Sequence, residues 1–285
     1  MSVTAPLVNA MSVDVEDYFQ VQAFAGLVRP ADWDGFECRV EANVERILAQ
    51  FAAAGALGTF FTLGWVAERY PAMVRRIVAA GHELASHGQW HQPVYSLSPE
   101  AFLADVTQAR AILEDVGGVA VRGYRAPTFS IGKRTPWAYA MLEAAGYQYS
   151  SSVYPISHDI YGDPDAAVVP HRAAGTSVWE IPMTTVRMAR CNLPCSGGGY
   201  FRLLPYALFR FLVRRANGTA ARPAIFYFHP WEVDPGQPRI AGAGRLARFR
   251  HYVNLGATAG RLDRLLSDFA WDRMDRVYAD RLAES

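Results

Sequence analysis

GTFFTLGWVAERYPAMVRRIVAAGHELAS, residues 58–86, carries the repeating unit of the fold. Gly58–Leu63 is dense in aromatic and β-branched residues and bounded by glycines, which predicts a short buried strand. Pro71–Ala80 begins on proline and stops at Gly81, the asymmetry expected of a helix. His82–Ser86 reads as a second strand. Strand, helix, strand with brief connections argues for parallel strands with the helix packed outside.

The rhythm continues outward. Upstream, Met11–Val15 is an apolar strand running into acids, and Val40–Ala54 carries apolar residues at helical spacing up to Gly55. Downstream, Ser98 caps a helix reaching about Val116. Gly118–Tyr124 then reads as a strand, Pro136–Ala145 as a helix and Tyr147–Ser151 as a strand. Ser177–Ile181 and Ala224–His229 are later strands with the helix Pro205–Ala216 between them, and Gly244–Phe269 is largely helical. The fold class expected is α/β, an irregular (β/α) barrel forming one domain over residues 1–285. Its core spans about residues 10–235, followed by a helical extension at about 240–280. Tyr154–Thr176 breaks the rhythm with Pro, Gly and Asp and reads as a long surface insertion.

The 285 residues are 51% hydrophobic, enough for a sizeable core. Twenty-eight basic against 27 acidic side chains leave a net charge of +1, which argues against a nucleic-acid partner. No signal peptide or apolar run long enough to span a membrane is visible, so the expected location is cytoplasmic. Three cysteines, Cys38, Cys191 and Cys195, give an odd count, so no disulfide framework is expected. The Cys191/Cys195 pair lacks the second Cys/His pair that a structural metal site would need.

Chemically capable residues recur where strands end, the place where β/α barrels build their sites. Ser12-Val13-Asp14-Val15-Glu16-Asp17 crowds three acids at the end of the first strand. Neighbouring carboxylates repel unless a cation or shared proton relieves them. His87-Gly88-Gln89-Trp90-His91 spaces two imidazoles at i, i+4, which predicts both on one face of a helical turn, near enough to grip one ion. Histidines plus a carboxylate form a set that suits Zn²⁺ and leaves positions open for water and substrate. Arg125 follows a strand and precedes Ala126-Pro127-Thr128-Phe129. Phe226-Tyr227-Phe228 delivers His229 to a strand end, followed by Pro230-Trp231-Glu232.

Taken in this order, the four segments resemble the NodB-homology polysaccharide deacetylases, carbohydrate esterase family 4. VDVEDYFQV, NLPCSGGGYFRLLPY and FYFHPWEVDPGQPR resemble most narrowly the exosortase-associated polysaccharide deacetylases. The resemblance runs from about residue 10 to 275. It implies a distorted (β/α)7 barrel and removal of N-acetyl groups from an amino-sugar polymer of exopolysaccharide type. That substrate would place the chain beside an export or synthesis assembly. It implies Asp14 as general base, His87 and His91 as ligands of a divalent ion (Zn²⁺, with Co²⁺ or Ni²⁺ as substitutes) and Arg125 as the partner orienting Asp14. It also implies oxyanion binding by the Thr128 amide, within a Pro127-Thr128-Phe129 substrate wall, and His229 as general acid.

Two departures from the family pattern bear on the site. Val15 follows Asp14 where many members have a second aspartate, so the acidic ligand is Glu16 or Asp17. Strand period two favours Glu16. Ser150 stands where an aspartate is usual, which leaves Asp14 as the only partner expected for Arg125. The glycine run Ser196–Arg202 suggests a substrate-facing loop with Tyr200 as a stacking platform, and Trp231 is a second candidate for the groove. Two other readings fit the scaffold: a metal-free allantoinase-like amidase, or a non-catalytic sugar-binding protein. An intact acid, His, His set speaks against both.

Overall fold

The computed structural model describes residues 7–188, 191–220 and 222–284. The first half runs β1 (Val8–Val15), α1 (Val40–Ala54), β2 (Thr59–Thr62), α2 (Gly64–Arg69), α3 (Pro71–Ala79), β3 (Glu83–Ser86), α4 (Pro99–Gly117), β4 (Gly123–Tyr124), α5 (Ala138–Ala144) and β5 (Tyr149–Ser150). The second half adds β6 (His171–Arg172), β7 (Trp179–Glu180), β8 (Thr185–Met188), β9 (Cys191–Pro194), α6 (Gly198–Leu203), α7 (Tyr206–Ala220) and β10 (Ile225–Phe228). It ends with α8 (Arg245–Tyr252), α9 (Leu255–Asp268), β11 (Ala270–Asp272), α10 (Met274–Val277) and α11 (Ala279–Leu282).

Strands β10-β1-β2-β3-β4-β5-β7 form one parallel run, the seven-stranded path expected of a (β/α)7 barrel. β6 adds antiparallel beyond β7. No pairing among the described residues joins β7 to β10, so the sheet is a curled half-barrel. β1 lies one strand in from the β10 edge and has three strand partners. Ala10–Val13 pairs with β10, Ser12–Val15 with β2, and Val8–Ala10 with β11. All four residues of β2, β3 and β10 are buried, as parallel strands covered on both faces require.

Local chemistry sets the element ends. The Ser98 side chain accepts a hydrogen bond from the Ala101 amide at 3.2 Å and caps α4. That helix continues to Gly117, and Gly118 terminates it in the left-handed region at φ 65°. The strand expected from Gly118 is therefore confined to Gly123–Tyr124. The 154–176 segment is only partly the surface loop expected. Tyr154 and Ile156 are buried, the Tyr154 hydroxyl donates to the Ser196 carbonyl at 3.0 Å, and β6 extends the sheet.

Cys38, Cys191 and Cys195 are free thiols. Among the described residues, no helix is long and apolar enough to cross a membrane.

His82 gives the fold a pH dependence. Its ring is buried beside Phe60 and Phe51, and Nδ1 accepts the Gly58 amide at 3.2 Å. Burial, helped by the charge of Arg273, lowers its pKa to about 4. The unfolded chain, with an ordinary histidine near 6.5, therefore binds the extra proton first. This contribution is fully present above about pH 6.5 and is lost as pH falls toward about 4. Urea unfolding of the wild type against His82→Gln should differ in slope by up to about 1.4 kcal/mol per pH unit across that window. Parallel pH curves would remove His82 as the cause.

Candidate active site

The ends of β1, β3, β4 and β10 open on one cavity of about 360 Å³. Ser12, Asp14 and Glu16 alternate along and just beyond β1, and all three are buried. Asp14 Oδ1 accepts a hydrogen bond from Nη1 of Arg125 at 2.6 Å. Arg125 is fully buried and has more partners than the sequence suggested. Nη1 also donates to Ser12 Oγ at 2.9 Å. Nε donates to the Ser151 carbonyl at 3.0 Å and Nη2 to its hydroxyl at 3.1 Å. The guanidinium carbon lies 4.1 Å from the centre of the Phe61 ring. The expectation that Asp14 is its sole partner is thus corrected: the serines of β1 and of the turn after β5 share the load.

Of the two acids left open as a ligand, Glu16 joins the histidines and Asp17 does not. Ligand atoms of Glu16, His87 and His91 all lie within 4.8 Å of one another, the one such group among the described residues. Asp17 faces α1 instead. Its carboxylate accepts the amides of Tyr18 at 2.9 Å, Arg39 at 2.6 Å and Val40 at 2.9 Å, satisfying the helix start from a distance.

His87 and His91 meet with ring centres 5.2 Å apart, but not on a helical turn. Gly88 at φ 79° and His91 at φ 52° break any helix, and 87–91 is an irregular loop. Asp105 anchors it by accepting the Gln89 amide at 3.0 Å. Nδ1 of His87 lies 2.8 Å from the Arg125 carbonyl, which can only accept, so the proton sits on Nδ1 and Nε2 is left with a lone pair. Burial lowers the pKa of His87 to about 4 against the pull of Asp14 and Glu16, which keeps the ring neutral.

Burial would raise the pKa of Glu16, but His91 and His229, with a smaller share from His87, hold it at about 2. Its Oε2 is buried, 2.6 Å from Nε2 of His91, yet no donor is aligned on it. An anionic oxygen crowded against an imidazole nitrogen, without a hydrogen bond, is the arrangement of ligands that share a cation. The donor set fits a divalent ion of the borderline class.

His229 reaches the cavity from the end of β10, with Nε2 3.6 Å from Glu16 Oε1. Burial favours its neutral form, but Glu16, Glu232 and Asp14 outweigh burial and lift its pKa to about 9. Trp231 lines the cavity too, but it offers no open face. Its ring stacks on His229 at 5.1 Å and on His251 at 4.1 Å, while Nε1 donates to Glu16 at 3.2 Å. As a flat platform for a sugar it is unavailable.

Thr128 and Phe129 line the cavity, and both sit in the left-handed region, at φ 58° and 48°. Two consecutive non-glycine residues there mark a strained turn of the kind found at functional sites. Pro127 is buried and lies off the wall. Tyr200 lines the cavity and is half-buried.

The sequence reading assigned no role to Ser12, Ser151, Arg202 or Glu232. Glu232 carried a legible signal: His-Pro-x-Glu is a helix start with an acid at its third position, and Glu232 accepts the His229 amide at 3.0 Å. His158, Tyr161 and His251 also line the cavity and carried no such signal.

Comparison with known proteins divides the chain in two. Residues 33–150 match the polysaccharide deacetylase family model, and residues 151–279 match a domain of unknown function, DUF3473. A peptidoglycan deacetylase-like protein of Gibberella zeae is 30% identical over 95 residues, 33% of this chain and 27% of that protein. A peptidoglycan deacetylase of Helicobacter pylori is 26% identical over 113 residues, 40% of this chain and 38% of that protein. The chain thus spans well under half the length of either curated relative. Two solved structures assigned to polysaccharide deacetylases share the fold. One, from Mycobacterium smegmatis, has a TM-score of 0.61 at 20% identity, covering 99% of this chain and 94% of that one. The other, from Pseudomonas aeruginosa PAO1, has a TM-score of 0.62 at 17% identity, covering 96% and 90%. Residues 33–150, which hold His87, His91 and Arg125, therefore resemble a polysaccharide deacetylase domain, and the chain shares the fold of solved structures assigned to such proteins.

Proposed function

We propose that the protein is a metal-dependent N-deacetylase acting on amino sugars of an exopolysaccharide-type polymer. The observation that carries this reading is the convergence on one cavity of an arginine-held Asp14, the Glu16/His87/His91 cluster and His229. Glu16, His87 and His91 would hold the ion, Zn²⁺ first and Co²⁺ or Ni²⁺ as substitutes. When bound, it supplies a Lewis acid for the acyl oxygen and the attacking water.

The chain's own groups do the rest. Asp14, its second oxygen free of Arg125, takes the proton of the attacking water. Arg125 fixes the direction of that carboxylate. The Thr128 amide donates to the oxygen that becomes negative as the carbonyl carbon turns tetrahedral. His229, on the far side of Glu16 from His91, gives a proton through Nε2 to the departing nitrogen, so that an amine rather than an amide anion leaves. Tyr200 and Phe129 offer ring surface to the sugar.

The test is acetate release from chitooligosaccharides by protein prepared without a histidine tag, with its metal counted by elemental analysis. About one divalent ion per chain is expected, with turnover lost on chelation and restored by Zn²⁺ or Co²⁺. Full turnover by rigorously metal-free protein would overturn the reading.

The two acids can be separated directly. Glu16→Gln should weaken metal affinity by roughly 100-fold or more, since the loss of a ligand exceeds the usual effect of altering an outer partner. Asp17→Asn should leave affinity within a few-fold and lower stability by about 0.5–2 kcal/mol, the range for a lost helix cap. Calorimetric metal titration of both variants, with urea unfolding, ranks them. The opposite ranking moves the ligand to Asp17.

A further inference from the structure

Glu232 and Arg202 form a buried ion pair that the proposed chemistry leaves unused. Nε of Arg202 donates to Glu232 Oε1 at 2.8 Å, and the two side chains are 2% and 1% exposed. The other carboxylate oxygen, Oε2, accepts the His229 amide at 3.0 Å and faces His229 Nδ1 at 3.3 Å. One oxygen thus faces the arginine and the other the imidazole. A carboxylate held by an arginine can only accept, so Nδ1 carries the proton it presents to Glu232, and Nε2 is the edge turned to the cavity.

Arg202 is itself held from several sides. Nη1 donates to the carbonyls of His251 at 2.8 Å and Val253 at 2.9 Å, and Nη2 to that of Arg250 at 3.0 Å. Its guanidinium carbon lies 5.3 Å from the centre of the Trp231 ring, the ring stacked on His229. The glycine run makes this approach possible. A Cβ on Gly198 would lie 1.8 Å from Glu232 Oε2, and one on Gly197, at φ 98°, 2.6 Å from the Tyr227 ring. Any side chain there would displace the carboxylate or the strand that delivers His229.

We infer that Arg202 and Glu232 are positioning residues, and that the Ser196–Arg202 segment, a glycine turn running into α6 rather than a loop, seats them: through Glu232, which accepts the Nδ1 proton in a hydrogen bond, Arg202 fixes the direction of the His229 ring so that Nε2 faces the leaving nitrogen. This rests on the proposed role of His229. It gives the glycine run, which lies in the segment matched only by a domain of unknown function, a part in the reaction. The run acts from behind the acid through Arg202, in addition to presenting Tyr200 at the cavity wall.

The experiment compares two substrates and one spectrum. Wild type, Glu232→Gln, Arg202→Met and Arg202→Lys, all metal-loaded, are assayed on a chitooligosaccharide and on 4-nitrophenyl acetate. The phenolate of the latter leaves without a proton. Glu232→Gln and Arg202→Met should lose roughly 10²-fold in kcat on the amide, within the range of acid catalysis, and stay within about threefold on the ester. Arg202→Lys should recover part of the loss. Equal losses on both substrates would show a merely structural role, and unchanged amide turnover would show none. Histidine-labelled ¹⁵N NMR reads positioning without turnover. Read at alkaline pH, where the ring has lost its Nε2 proton and carries a single one, His229 should hold that proton on Nδ1 in the wild type and redistribute it to Nε2 in Glu232→Gln. An unaltered His229 spectrum in Glu232→Gln and Arg202→Met overturns the inference. A wild type that shows the Nδ1 proton yet hydrolyses neither substrate overturns the functional reading and leaves the positioning intact.

Discussion

Asp14→Asn should cut deacetylation by roughly 10²–10⁴-fold, to the floor of the assay, while the protein still takes up one divalent ion. Asparagine keeps the shape of the side chain and can still accept the Arg125 hydrogen bond, so the change removes a base and little else. Asp14 is absent from the Glu16/His87/His91 group, which is why metal content should hold. Acetate release and elemental analysis on one preparation check both halves. Near-normal turnover would move the base elsewhere, and loss of metal would make Asp14 a ligand.

The second large effect falls on stability. Arg125→Met should destabilise the fold by about 3–5 kcal/mol, the cost of leaving a buried charge without its partner. The guanidinium is wholly buried, and its loss strands the Asp14 carboxylate, which is 2% exposed, beside an unanswered Ser151 hydroxyl. The signature is the double variant: Asp14→Asn with Arg125→Met should be less destabilised than Arg125→Met alone, because the orphaned charge is gone. Urea unfolding of the metal-free proteins measures it. A loss under about 1 kcal/mol, or simple additivity, would mean that the pair is not what holds this end of the sheet.

The barrel was legible because its strands are short apolar runs separated by helix starts and glycine stops, and those signals are local. The strand-end residues were legible for a related reason: Asp14, His87, Arg125 and His229 each lie at the end of a segment that reads as a strand, and His229 directly follows the apolar run 225–228. The conformation of 87–91 was not, since i, i+4 spacing is shared by a helix and by a loop bent twice into positive φ. Asp17 and Glu16 could be ranked by strand period but not separated, because nothing near Asp17 announces that Arg39 and Val40 will present their amides to it. Ser151 and Ser12, which share Arg125 with Asp14, lie 26 and 113 residues from it, and Arg202 lies 30 from Glu232; no periodicity carries that information. Trp231 was ambiguous between groove and core, and it turned out to be clamped between two imidazoles.

The pairing of β1 also has a consequence for how the chain is made. β1 leaves the ribosome ahead of all three of its partners, and two of them, β10 and β11, follow only after β2 to β9 have been made. At about 5–20 residues per second, roughly 10–40 s separate the synthesis of Val15 from that of Phe228. Through that interval an eight-residue strand with almost every position destined for the core has at most β2 beside it. Its other edge stays open to any strand that comes by. A chaperone that shields the β1 segment through that interval would act where the growing chain is most open to wrong pairing.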